Sequence, residues 1–111
     1  MSFGIRMRAE PLKSIAAGSI GAAYMGVGTA FSYPIRAFHI QNLTDATLLF
    51  SYDGLDDHFR LPRNGYFFFD VTANKSTDVG CFWAIGDRIY VKEDETPSTG
   101  TVDLTAYYAQ E

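Results

Sequence analysis

The sequence contains one cysteine and two histidines, and this scarcity excludes several kinds of site. Cys81 has no second cysteine with which to form a disulfide bond, so we interpret it as a small buried hydrophobic residue. Zinc sites use three or four nitrogen and sulfur ligands. His39 and His58 do not lie at a spacing that would supply such a set. We therefore predict neither a bound metal nor any other cofactor.

Catalytic motifs are also lacking. The sequence has no G-x-S-x-G stretch of the kind that presents a nucleophilic serine. Gly26-Val27-Gly28 begins a dinucleotide-binding pattern, but the full G-x-G-x-x-G is not completed, and we interpret it as a turn. A Ser-His-Asp arrangement stays open at this point, because such triads are defined by geometry and not by sequence. We predict that the protein is not an enzyme.

One acidic loop holds the densest group of potential metal ligands. Asp53, Asp56, Asp57 and His58 lie within a stretch of six residues. Calcium binds clustered carboxylate and carbonyl oxygens, so a loop site is conceivable. The spacing of an EF-hand is absent, however, and Asp53-Gly54 is the dipeptide of a tight hairpin turn. We therefore interpret this loop as a solvated turn.

Positive charge is scarce, since the net charge is −4 and only 20% of the residues are charged. Nucleic acid is not the expected main partner, because phosphate binding requires a basic face. The charges are also uneven: Arg6, Arg8 and Lys13 lie near the N-terminus, whereas Glu93-Asp94-Glu95 is the densest acidic stretch. Opposite charges at two places on one chain favour a head-to-tail contact between copies.

No stretch has the composition of a membrane helix. Residues 14–31 carry no charge, but they contain no leucine and are interrupted by four glycines, which weaken a helix. Glu10 and Pro11 interrupt the basic start that a signal peptide would need. We therefore predict no membrane partner and no leader segment.

The sequence is rich in short stretches in which apolar and polar residues alternate. Between Ile35 and Thr72 we predict a meander of four short strands joined by three turns. The fourth, Tyr66 to Val71, is apolar on both faces, which predicts a central strand or a strand at an interface. Further strands are predicted at Ile20–Val27, at residues 81–85, at residues 88–92 and, most regularly, at Thr101–Ala109.

The eight or nine short strands predict an all-β fold, an antiparallel β-sandwich of jelly-roll-like form. Residues 1–13 form either an N-terminal arm or an edge strand, and residues 14–111 form a single β-sandwich domain. Aromatic residues make up 15% of the chain, more than a small core easily hides. We expect some of them at a contact surface. The candidate interface residues are Phe3, Ile5, Arg6, Arg8, Tyr66, Phe68, Tyr90 and Tyr107.

Tyrosine and tryptophan side chains can also stack on sugars. Trp83, Tyr66, Tyr90 and Tyr107 would serve if they were exposed. The strand patterns already explain most of these residues as core or inter-subunit packing. A carbohydrate- or host-receptor-binding module is therefore the alternative function.

Several short patterns together resemble small virion structural proteins of tailed bacteriophages. They are P-I-R at residues 34–36, N-x-T at 42–44, S-x-D-G-x-x-D-H at 51–58, P-x-x-G at 62–65, D-V-T-x-N-K at 70–75 and G-x-R-I-Y-V-K at 86–92. The similarity covers roughly residues 20–109. It implies a non-enzymatic structural role in the virion, as a head–tail connector, tail or collar component or as a capsid decoration protein. Partners would be further copies of the chain and other virion proteins.

Overall fold

The computed structural model describes residues 7–70 and 83–109, and its regular elements are strands apart from one 3-10 turn. Six residues named above, Phe3, Ile5, Arg6, Val71, Thr72 and Cys81, lie outside the described residues. Within the described ranges, nine strands form two antiparallel sheets, which confirms the predicted β-sandwich. The strands are β1 (Met7–Ala9), β2 (Lys13–Ala16), β3 (Met25–Gly26), β4 (Ile35–Asn42), β5 (Leu48–Ser51), β6 (Phe59–Leu61), β7 (Tyr66–Asp70), β8 (Tyr90–Glu93) and β9 (Thr101–Ala109), with a 3-10 turn at Ala17–Ser19.

The five-stranded sheet is built around β9. Its order is β1-β9-β4-β7, and β2 pairs with β9 on the same side as β1. Residues Val102, Leu104, Ala106 and Tyr108 are buried and alternate with half-buried residues along the whole strand. The regular alternation predicted for Thr101–Ala109 is therefore confirmed at both ends and on both faces.

The four-stranded sheet has the order β3-β8-β5-β6. Its inward residues meet those of the five-stranded sheet in one core, in which Phe31, Phe38, Phe50, Ile35 and Ile40 are among the largest fully buried side chains. Half-buried aromatic residues extend the core towards β6 and β7: Tyr52, Phe59, Phe67, Phe69 and Trp83.

The predicted meander is wrong in its pairing, although all four strands exist. In a meander each strand pairs with the next, but here β4 pairs with β7 and β5 pairs with β6, in different sheets. The turn after β4 and the turn after β6 therefore cross between the sheets. Asn42 joins the two crossings: its side-chain amide donates to the carbonyls of Ala46, Leu61 and Pro62 at 2.8, 3.1 and 3.2 Å.

Two further expectations need correction. Of the two positions predicted for Tyr66–Val71, the central one is wrong, because β7 (Tyr66–Asp70) pairs with β4 alone among the described strands; a position at an interface stays a prediction. The strand predicted over Ile20–Val27 is reduced to Met25–Gly26. Ile20 and Val27 are buried, but the small residues between them offer few side chains to pack on a sheet, and the chain runs there as bends.

No helix in the described part of the chain is long and apolar enough to cross a membrane.

Candidate interaction surface

The outer face of the five-stranded sheet carries adjacent exposed aromatic residues. Along β7, Phe67 and Phe69 point towards the core and are half-buried, whereas Tyr66 and Phe68 point outwards. The exposed fractions of Tyr66 and Phe68 are 68% and 53%, so neither ring is covered by the rest of the described chain. Most other exposed large hydrophobic residues lie singly in loops. The pair on β7 is therefore a patch and not an isolated exposed side chain.

Neighbouring strands extend this patch. His39 on β4 lies directly opposite Phe68, and its ring centroid is 5.8 Å from that of Tyr66 and 6.5 Å from that of Phe68. Beside them, Met7, Ala37, Phe68, Asp70 and Tyr107 line an open hollow of about 510 Å³. We call the surface formed by Tyr66, Phe68, His39, Tyr107 and Met7 the aromatic face.

The structure thus brings together three of the predicted interface residues, Tyr66, Phe68 and Tyr107. Arg8 is exposed on β1, but it pairs with Tyr108, so it lies on the opposite side of the sheet from Met7 and Tyr107. Tyr90 lies on β8 in the other sheet, where the guanidinium carbon of Arg88 is 5.8 Å from its ring centroid.

Trp83 belongs to the core and not to an exposed stacking surface. Its ring stacks on Tyr52 at a centroid distance of 4.9 Å and meets Phe38 edge to face at 6.0 Å. The interpretation of this residue as packing is confirmed, and Trp83 does not contribute to the aromatic face.

The outer face of the four-stranded sheet has a different character. Lys92 forms an ion pair with Asp57 at 3.1 Å and lies 4.8 Å from the ring centroid of Tyr24. Tyr24 also donates a hydrogen bond to Asp57, which lowers the pKa of the Asp57 carboxyl group. Arg60 pairs with Asp94 at 2.9 Å. Paired charges at this face keep their water contacts, so it offers less apolar area than the aromatic face.

The acidic loop brings together three of its four predicted residues. Single ligand atoms of Asp53, Asp56 and His58 lie within 4.8 Å of one another, and the three side chains are exposed. Asp57 is not part of this group. Two observations nevertheless favour the interpretation as a turn, and the first is that one Asp53 oxygen accepts hydrogen bonds from the amides of Leu55 and Asp56 at 2.8 and 3.0 Å. These bonds lower the Asp53 pKa to about 2.

The second observation concerns His58. Its Nδ1 accepts a hydrogen bond from the backbone amide of Tyr52 at 3.0 Å. A neutral imidazole whose Nδ1 accepts carries its proton on Nε2, so neither nitrogen has a lone pair left for a metal. The loop therefore uses its polar side chains to hold its own backbone.

One polar feature was not predicted from the sequence. Glu10 and Lys13 form an ion pair at 3.1 Å, and their side chains are only 2% and 7% exposed, in that order. Glu10 also accepts the amide of Ser32 at 3.1 Å, and Lys13 donates to the Thr29 hydroxyl at 3.0 Å. Charged residues near a proline normally indicate a solvent-exposed segment, so nothing in the sequence indicated that Glu10 and Lys13 are buried. The pair fastens the segment after β1 to the loop before β4.

No protein-family model, curated protein or solved structure matches this chain significantly. The similarity to bacteriophage virion proteins therefore stays a prediction. The aromatic face is the feature of the described residues from which a function can be argued.

Proposed function

We propose that this protein is a non-enzymatic structural subunit of a bacteriophage particle and that it assembles as a homo-oligomer through its aromatic face. The observation that carries the proposal is the exposure of Tyr66 and Phe68 side by side on one strand, at 68% and 53%. Large apolar patches on soluble proteins mark interaction sites, and interfaces are enriched in tyrosine, phenylalanine and methionine.

The composition of the face supports a protein partner. Tyr66, Phe68 and Tyr107 are rigid aromatic side chains that lose little conformational entropy when they are covered. Burying one such side chain fully contributes roughly 1.5–3 kcal/mol. His39 and Asp70 add polar groups that can fix the orientation of a partner. This combination is typical of the centre of a protein–protein interface.

The assignment to a virion is supported by the sequence resemblance and by the fold class. A small β-sandwich presents unpaired sheet edges, and assembly into a ring or onto a larger particle covers them. The position would be that of a head–tail connector, a tail or collar component, or a capsid decoration protein. Contacts to other virion proteins would use the same face or the basic N-terminal segment, of which Arg8 is the exposed described member.

Light scattering of the purified chain at low and high salt tests this proposal. We expect a defined oligomer for the wild-type protein and a smaller species for the double variant Tyr66→Ser/Phe68→Ser. Tyr90→Ser is the matched control, because Tyr90 lies in the other sheet. Insensitivity to salt indicates the aromatic face, and loosening at high salt indicates the charged N-terminal segment. A wild-type monomer at every concentration contradicts the proposal.

A carbohydrate- or receptor-binding role is the second candidate, and one observation favours it. His39 on β4 lies beside both Tyr66 and Phe68 on β7, so a polar ring nitrogen adjoins two exposed aromatic surfaces. Sugars bind to such combinations because aromatic faces contact their C–H groups while polar atoms bind hydroxyls. A glycan array with the wild-type protein and Tyr66→Ala distinguishes the two. Hits that disappear in the variant support sugar binding, and an array without hits contradicts this role.

A further inference from the structure

A polar cleft lies between the connection from β1 to β2 and the loop before β4. Its volume is about 420 Å³, within the range of small-molecule sites. Glu10, Leu12 and Lys13 line it from the connection and the start of β2, and Thr29 and Ser32 line it from the loop. None of these five residues belongs to the aromatic face. The cleft is therefore a separate candidate for a binding site.

The Glu10–Lys13 ion pair borders this cleft, although both side chains are almost fully buried. Burial removes the two charges from water, and their attraction often offsets that cost only in part, so apolar residues of similar volume can stabilise a fold as well. Stability alone therefore does not account for a buried pair at this place. Buried charged groups that converge on a cleft are more typical of a site that binds a ligand.

The loop that lines the cleft is held in place by several contacts. The Gly28 carbonyl accepts a hydrogen bond from the Arg88 guanidinium group, and the Ser32 amide donates to Glu10 at 3.1 Å. A Cβ atom at position 28 would lie 2.6 Å from the Cβ of Lys13, so this glycine lets the loop approach β2 closely. Fixed walls make the cleft preformed, and a ligand then binds without the cost of ordering them.

Both charged groups keep hydrogen-bonding capacity for a ligand. A lysine ammonium group has three N–H donors, and within residues 7–70 and 83–109 Lys13 uses two of them, towards Glu10 and Thr29. One Glu10 oxygen accepts from Lys13 and the other from the Ser32 amide, whereas each carboxylate oxygen can accept two bonds. The Thr29 hydroxyl accepts from Lys13, so its own proton can be donated. Donors and acceptors therefore lie side by side in the cleft.

From this arrangement we infer that the cleft binds a neutral sugar through two adjacent hydroxyl groups. The two buried charges cancel, so an anion would be repelled by the Glu10 carboxylate and a cation by the Lys13 ammonium group. A hydroxyl group both donates and accepts, so one sugar hydroxyl can accept from Lys13 while its neighbour donates to Glu10. The two protein atoms are 3.1 Å apart, close to the separation of adjacent hydroxyl oxygens on a sugar ring. Leu12, which is 63% exposed, offers an apolar side chain to the C–H groups of the sugar.

A titration of the full chain followed by NMR tests the inference. Glucose, galactose and mannose are the neutral probes, and glucuronate and glucosamine are the anionic and cationic counterparts of glucose. With at least one neutral sugar, we expect saturable shifts of the Lys13 and Ser32 backbone amides in a proton–nitrogen correlation spectrum. Thr29→Val removes the hydroxyl group at nearly constant volume and should raise the dissociation constant about two- to tenfold. Thr29→Ser is the matched control and should bind almost as tightly as the wild-type protein.

Three results would each overturn sugar binding in the cleft: no saturable shift with any neutral sugar, tighter binding of glucuronate or glucosamine, or equal affinities of the two Thr29 variants. Shifts confined to β4 and β7 that disappear in Tyr66→Ala would instead place the sugar on the aromatic face and overturn it as well. The wild-type spectra alone locate the sugar if a variant fails to fold. Sugar binding in the cleft does not depend on the proposed assembly, which uses the aromatic face and is measured separately by light scattering.

Discussion

Replacement of Lys13 by methionine should destabilise the protein far more than an ordinary surface substitution. The Lys13 ammonium group is buried beside the Glu10 carboxylate, 3.1 Å away, and the Thr29 hydroxyl is its further partner. Methionine keeps most of the apolar stem of the side chain and removes the charge. Glu10 then remains buried, 2% exposed, with the Ser32 amide as its remaining hydrogen-bond donor among the bonds described.

The expected magnitude follows from this geometry. At 3.1 Å and an effective dielectric constant of about 20, the attraction between the two charges is about 5 kcal/mol. Desolvation of both ions offsets much of it, so the pair adds little net stability. Removing one partner leaves the other charge uncompensated, and we expect a loss of about 3–5 kcal/mol in the free energy of unfolding. That is a large part of the roughly 6–17 kcal/mol typical of a chain of 111 residues.

The decisive measurement is the double variant. Adding Glu10→Gln to Lys13→Met should recover about 2 kcal/mol, because a neutral amide needs no counter-charge and its oxygen still accepts the Ser32 amide. Urea unfolding followed by the fluorescence of Trp83, the single tryptophan, gives each value. Arg60→Met is the control, since its ion pair is exposed and should contribute less than about 1 kcal/mol. Two losses that simply add, or a Lys13→Met loss as small as the control, would refute the reasoning.

Three further outcomes are expected, each measurable by urea unfolding. Asn42→Ala should lower the free energy of unfolding by about 3 kcal/mol or more, because it removes the hydrogen bonds that the buried amide donates to Ala46 and Leu61 and the one that its oxygen accepts from the Thr44 amide. A loss near 1 kcal/mol would contradict this. Gly100→Ala should cost about 2 kcal/mol or more, since φ is +91° and a Cβ would collide with the Leu43 carbonyl oxygen; Gly18→Ala, with open space around it, is the control. Hydrogen bonds from Ser98 and Thr99 lower the Asp45 pKa to about 2, below its unfolded value near 4. The ionised Asp45 therefore stabilises the fold fully above about pH 4, and this stabilisation is lost as the pH falls towards about 2. The pH profile of Asp45→Asn should lack this loss.

The sequence predicts the strands of this protein better than their partners. Thr101–Ala109 is found as predicted because a strand with one buried face repeats every two residues, which is a local property. Sheet order is not local: β4 pairs with β9 on one side and with β7 on the other, so Tyr66–Asp70 comes last in the sheet among the described strands. Apolar residues on both faces of β7 therefore indicate exposure on one of them and not burial on both.

For the candidate surface, too, residue types could be predicted from the sequence but not positions in the sheets. Tyr66, Phe68 and Tyr107 were expected at an interface from their residue types, and the structure places them on one face. That Tyr90 lies on the other sheet could not be predicted, because the sequence does not say in which sheet a strand lies. The burial of Glu10 was also hidden, because it depends on Lys13 and Ser32, which only the folded chain brings together with it.

The position of β9 determines when the five-stranded sheet can form. β1, β2 and β4 all pair with β9, which is the last strand of the nine to be synthesised. Ribosomes add about 5–20 residues per second, so the roughly 90 residues between β1 and β9 correspond to about 5–20 s during which β1 has no partner. The β5–β6 hairpin depends on residues close in sequence and can form earlier. Pairing over such distances slows folding, and the aromatic strand β7, which is made after β4 and about 30 residues before β9, is exposed to aggregation until the sheet is complete.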